Sequence, residues 1–271
     1  MTLDNLLIAY PYLTPGAQRA IAAADGIRVL VDSGAFTAFK SGKAIQLDSY
    51  CRFIEKLPFK PWRYFTLDVI GNPDLTVKNY ETMLARGFNP IPVFTRGESA
   101  SVLEDYYKTS DVVGVGGLVK AKKSKEFIRA VMQTVKDRKV HWLGFTKSSF
   151  IKTYKPYSVD CSSWIVGQKY GVLPLYFGGG KMRTVTRDLL KSDDPRLRQV
   201  LARYNVSDYA LRLEKNWRGK DNLARAIGAQ SYILYSRDLE KNLGTKLFCA
   251  TTDSYVEYLL KVMRGLPCHQ P

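Results

Sequence analysis

The sequence predicts an α/β protein built as a (β/α)8 TIM-type barrel, and three observations carry that expectation. Eight short apolar, β-branched runs alternate with helical patterns along the chain, the arrangement that produces a parallel sheet. Three of these runs deliver an aspartate: Val29-Leu30-Val31-Asp32, Tyr64-Phe65-Thr66-Leu67-Asp68 and Tyr157-Ser158-Val159-Asp160. The C-terminal ends of parallel barrel strands share one face, so three such carboxylates would converge there. The third observation is a long basic, mainly helical insertion, residues 161–246, before the last strand. An open doubly wound sheet is the alternative arrangement of the same elements.

The elements follow in order. Residues 6–10 form the first strand, and a short helix over 15–24 leads to the second strand at 28–31. Leu47, Tyr50, Cys51, Ile54 and Leu57 recur at helical spacing. The third strand covers 63–67, and a helix over 74–86 starts on an acid and stops at Gly87. Strands at 91–94 and 112–115 come next, the latter ending in Gly116-Gly117. An amphipathic helix begins at Ser124, with Phe127, Ile128, Val131, Met132 and Val135 as its buried stripe. Strands at 140–143 and 157–159 complete seven. The eighth is Leu247-Phe248-Cys249-Ala250, with a closing helix over 254–263. The whole, 1–271, reads as one barrel domain carrying the 161–246 insertion as a subdomain.

Charge is the unusual part of the composition. The 271 residues hold 41 Lys and Arg against 25 Asp and Glu, a net +16. Such a field attracts polyanions, nucleic acid first among them. Residues 161–246 carry 16 basic and 8 acidic side chains, half of that excess. There Arg196, Arg198, Arg203, Arg212, Lys215, Arg218, Lys220 and Arg225 interleave with Tyr204, Tyr209 and Trp217. Basic groups neutralise phosphates and aromatics stack on bases; a solvated helical surface over buried aromatics would show the same pattern. Gly178-Gly179-Gly180-Lys181 resembles a phosphate-contacting loop without Walker spacing. Four dispersed cysteines and two histidines give no zinc-ligand spacing, and Cys161 and Cys249 read as buried thiols. The N-terminus has no basic leader and no apolar run spans a membrane, so a cytoplasmic protein (host cytoplasm if phage-encoded) is expected.

At this point the residues carry a resemblance. Val31-Asp32-Ser33-Gly34-Ala35-Phe36 resembles the DSGG-aromatic motif of the tRNA-guanine transglycosylase superfamily. The likeness continues, in order, through Asp68, Gly114-Val115-Gly116-Gly117-Leu118, His141-Trp142-Leu143-Gly144 and Val159-Asp160-Cys161-Ser162-Ser163-Trp164. The chain departs from the family in lacking the CxCxxC…H zinc site and in having Ala35, Thr37 and Thr95-Arg96-Gly97 at motif positions. The missing zinc motif and short length are most similar to the phage and bacterial DpdA-like DNA-guanine transglycosylases.

That resemblance implies a barrel fold and a pentosyltransferase that exchanges guanine in DNA for a free 7-deazaguanine, its co-substrate. It implies Asp160 as the nucleophile, Asp32 as the proton-transfer group, and Asp68, Ser33, Phe36, Gly116 and Gly117 around the base. Asp68 would accept from the guanine edge and Phe36 would stack on the ring. No metal or organic cofactor is implied. Lys120, Lys122, Lys123, Lys181, Arg183 and Arg218 are the expected backbone contacts, with Lys125 on the same barrel loop as the first three. Each position also has an ordinary role: an aspartate after a strand caps a helix, Phe36 belongs to a core, Gly116-Gly117 makes a turn. His141 lies inside a strand and reads as a core histidine, and Asp253 as the cap of the last helix. A zinc-less tRNA transglycosylase, a non-catalytic nucleic-acid-binding homologue and an Asp-based metal hydrolase are the rival readings, and a helper protein is a further partner left open.

Overall fold

The computed structural model describes residues 3–118, 124–219 and 222–265. Among the described residues there are ten strands: β1 Asp4–Ala9, β2 Ile27–Asp32, β3 Arg63–Tyr64, β4 Val93–Phe94, β5 Val112–Val115, β6 Lys139–Trp142, β7 Ser158–Cys161, β8 Val172–Tyr176, β9 Met182–Thr186 and β10 Lys246–Thr251. Eight of them form one curled parallel sheet in the order β3-β2-β1-β10-β7-β6-β5-β4. All the strand positions read from the sequence are occupied. The edge strands β3 and β4 are shorter than expected, and proline explains it. Pro90 and Pro92 remove backbone donors on both sides of Ile91. What survives is a parallel bridge between Phe65 and Ile91. Across it the Ile91 N–H donates to Tyr64 O (2.8 Å) and the Thr66 N–H donates to Ile91 O (2.9 Å).

Period-two alternation sorts the strand residues into two cores. Leu6, Ile8, Val29 and Val31 face the surrounding helices. Leu7, Leu30, Phe65, Ile91, Val93, Val112 and Phe248 form a separate cluster on the concave side, joined by Trp62, Leu143 and Tyr157. Trp62 stacks on Phe248 (5.2 Å between ring centroids) and Tyr157 (6.0 Å) at its base. Gly114 makes room for this packing: a Cβ there would lie 2.9 Å from Phe65 Cε1 and 3.1 Å from Leu143 Cδ1. Gly114→Ala is therefore expected to cost about 1–3 kcal/mol by overpacking, read as a lower urea midpoint.

Helices of the sheet's outer layer follow most strands. Those at Pro15–Ala22, Leu47–Glu55, Pro73–Ala85, Ser124–Val135 and Asp253–Gly265 match the periodicity. The fourth strand's helix Ala100–Thr109 and the short helices Ala35–Ser41 and Ser148–Tyr154 add elements the sequence reading passed over. The Pro73–Ala85 helix has Asp74 in its first turn, as read, and is capped by Asn72, whose Oδ1 accepts from Leu75 N (3.0 Å). Asp253, read as the cap of the last helix, is instead its first residue, and its side chain accepts from the adjacent Ser254 N. At the N-terminal ends of the strands, Arg237 pairs with Asp4, Arg28 with Glu240, and Asp111 with both Arg63 and Lys139.

The 161–246 stretch differs from a purely helical insertion. Its first part is an antiparallel hairpin, β8 with β9, turning on Gly178, Gly179 and Gly180, all at positive φ. Leu173, Leu175, Val185, Leu197, Leu201 and Trp217 build a core of its own there. The last helix, Leu223–Leu243, belongs to both parts: Ile227 joins the hairpin core, while Ala229, Ile233, Tyr235 and Leu239 pack into the main one. It is the crossover between β7 and β10. No described helix is long and apolar enough to cross a membrane.

Candidate active site

β2, β3 and β7 run in parallel and place Asp32, Asp68 and Asp160 at the same end of the sheet. Asp32 shares the parity of Leu30 and so faces the concave side. Its carboxylate accepts from Gly34 N (3.0 Å). Ser33 is fully buried, and its hydroxyl donates to Asp68 Oδ1 (2.7 Å). Asp68 itself is held by a tight loop in which Asn79 Nδ2 donates to Leu67 O and Val69 N donates to Thr76 Oγ1. Gly34 is required by packing. At φ 84° its missing side chain admits Pro11, whose Cδ would sit 2.4 Å from a Cβ.

Asp160 is the most tightly fixed of the three. One carboxylate oxygen receives both His141 Nε2 (3.0 Å) and the backbone N–H of Gly144 (3.0 Å). His141 Nδ1 lies 2.8 Å from Ser158 Oγ. An ionised carboxylate only accepts, so Nε2 carries the proton and Nδ1 takes the Ser158 hydroxyl proton when the ring is neutral. The histidine read as a core residue is one: it is fully buried, with its ring 5.0 Å from Phe65. It is also the residue that orients Asp160. That second role was not visible because His141 and Asp160 come together only through β6–β7 pairing; the i, i+2 spacing of Ser158 and Asp160 was the signal available.

The electrostatics separate the carboxyls. Burial pushes Asp32 up from 3.8 to about 7, the Asp68 charge adds to it, the Gly34 N–H opposes it, and the Asp160 charge raises it further. Asp68 is also raised, by burial first, with the Ser33 hydroxyl holding it down. The three groups thus share one electrostatic environment, as their convergence requires. A carboxylate fixed by two donors and a carboxyl raised toward neutrality, at the same end of one sheet, are groups of the kind used for nucleophilic and acid–base roles at a sugar carbon.

A cavity of about 500 Å³ adjoins the site, lined by Asp68, Asn79, Leu67, Ala35, Phe39 and Ile70 among others. Phe36, expected over the base, does not line it. It is 48% exposed with Lys40 Nζ 4.3 Å from its ring centroid, and Phe39, one helical turn on, lines the cavity instead. Gly116 is buried with Val93 Cγ1 3.0 Å and Thr95 Cγ2 3.2 Å from a Cβ position, while Gly117 is exposed at φ 67° with open space around it. Gly117 therefore offers bare backbone, and Gly116 is glycine for packing.

The basic residues divide. Lys120, Lys122 and Lys123 lie outside the described residues. Lys181 and Arg183 are exposed on the hairpin, the latter over Phe177. Arg218 is engaged by Glu214, Arg212 by Asp208 and Arg198 by Asp193. Arg225 and Trp217 are buried, so the insertion's aromatics and basic groups are partly its own core. Cys161 and Cys249 are buried thiols, and burial raises Cys161 to about 11. Among the described residues, no group of three or more His, Cys, Asp or Glu is disposed to hold a metal ion. No family model, curated protein or solved structure matches the chain.

Proposed function

We propose that the curled sheet is a closed (β/α)8 barrel and that the protein is a DNA-guanine transglycosylase acting through Asp160. The β3–β4 bridge and the shared interior cluster support closure. The observation that carries the chemistry is the Asp160 oxygen held by His141 and Gly144, at the same end of the sheet as an Asp32 raised to about 7. In the first half-reaction Asp160 attacks the deoxyribose C1′ as the C1′–N9 bond breaks, and Asp32 gives its proton to the departing N9. The result is free guanine and a glycosyl ester of Asp160. In the second, N9–H of the incoming 7-deazaguanine yields its proton to Asp32, N9 bonds to C1′, and Asp160 leaves as carboxylate. Asp68 in its cavity accepts from the base edge in both halves.

The target base must be unstacked to reach this pocket, and the basic surface holds the strand. Binding is therefore expected to weaken steeply with salt, by about 0.7 log units in affinity per log unit of salt for each phosphate contacted on a single strand. A salt-independent Kd would remove the electrostatic part of the reading. The reaction is tested by supplying radiolabelled 7-deazaguanine with matched DNA and tRNA in cytoplasm-like buffer. Label in DNA supports the proposal; label only in tRNA moves the same pocket to a tRNA substrate; label in neither, with binding intact, overturns it in favour of a binding protein.

A further inference from the structure

The loops that leave β5 and β6 carry a second cluster on the same face as the three aspartates. Lys125 and Arg129 stand one turn apart on the Ser124–Val135 helix, and Lys147 precedes the Ser148–Tyr154 helix. All three are exposed, yet they are drawn together. Arg129 Cζ lies 5.3 Å and Lys147 Nζ 5.8 Å from the centroid of the same Phe150 ring. The neighbouring Lys125 charge first, with desolvation and then the Arg129 charge adding to it, pushes the Lys147 ammonium below its ordinary value. Among the described residues, the acid paired here is Glu126, 3.7 Å from Arg129. Three mutually repelling cations, two of them over one aromatic ring, are stabilised together by a single anion placed between them.

Its place in the fold says which anion. Lys147 is three residues beyond Gly144, whose N–H holds Asp160, so the two sit within about 11 Å along the backbone. That is the neighbourhood of a nucleotide whose C1′ meets Asp160. We propose that Lys125, Arg129 and Lys147 together bind one phosphodiester, the one flanking the nucleotide whose base is exchanged. The identity of the strand rests on the function proposed above; the anion site does not.

The test is binding, not exchange. Single-stranded DNA with one guanine is prepared with each phosphodiester in turn replaced by a neutral methylphosphonate, and Kd is measured for wild type and for Lys125→Gln/Lys147→Gln. For wild type, one position beside the guanine is expected to weaken binding about tenfold, the scale of one charge-assisted contact. The variant loses the same factor on unmodified DNA and becomes insensitive at that position. Its salt slope falls by about 0.7, the value for one phosphate, rather than about 2 for three. A variant as sensitive as wild type at every position, or a slope lowered by about 2, overturns the proposal. So does a flat scan together with inorganic phosphate raising the Tm of wild type alone, which would make this a site for free phosphate. A localised effect without any base exchange keeps the anion site and removes the transglycosylase.

Discussion

Asp160→Asn is expected to lower base exchange by about 10⁴-fold or more while leaving the fold in place. The side-chain amide keeps an oxygen where His141 Nε2 and Gly144 N donate, so the local geometry survives. What is lost is the nucleophile, and residues that act as one unit lose nearly the whole rate enhancement when it goes. The same change removes a charge that helps hold Asp32 high. Asp32 in the variant should therefore titrate lower than in wild type, measurable by carboxylate NMR. Near-wild-type exchange with unchanged Asp32 titration would contradict both assignments.

The second large effect concerns Asp32 and pH. Its carboxyl is raised from 3.8 to about 7 in the folded protein, by burial and then by Asp68 and Asp160. Between pH 4 and 7 the native state therefore holds a proton that the unfolded chain has released. The resulting stability is complete below pH 4 and disappears as pH rises through 7. Asp68, raised as well, acts with the same sign. Asp32→Asn cannot lose that proton, so its Tm should gain on wild type steadily from pH 4.5 to pH 8. Its exchange rate should fall by about 10²–10⁴-fold, the contribution of a positioned proton-transfer group. For wild type, kcat/KM should decline above pH 7, where the free enzyme loses the acid that protonates N9. A flat profile from pH 5.5 to 8.5 would remove Asp32 from that role.

Much of this architecture was legible because strand signals are local. β-branched runs ending in Asp32, Asp68 and Asp160 give both the parallel sheet and the face on which the carboxylates meet. Where the reading fell short, the cause was non-local or steric. The Ala100–Thr109 and Ser148–Tyr154 helices bury only two side chains each, Leu103 with Tyr106 and Phe150 with Ile151. β3 and β4 contract because Pro90 and Pro92 withhold donors, although the apolar pattern continues through them. The packing need for Gly34 is non-local: Pro11, 23 residues earlier, occupies the space a side chain would take. Phe36 and Phe39 are one helical turn apart, and only the course of the Ala35–Ser41 helix decides which one lines the cavity. His141 needed the β6–β7 register before its link to Asp160 existed. Arg225 and Trp217 looked like a nucleic-acid surface from composition, and tertiary packing buries them.

The most direct measurement is intact-protein mass spectrometry of the reaction quenched under denaturing conditions with a guanine-containing DNA strand and no incoming base. The account predicts an adduct equal to protein plus strand less one guanine, with the modified peptide containing Asp160, and no adduct for Asp160→Asn. Base exchange that proceeds without any such adduct, or an adduct that persists in Asp160→Asn, would contradict it.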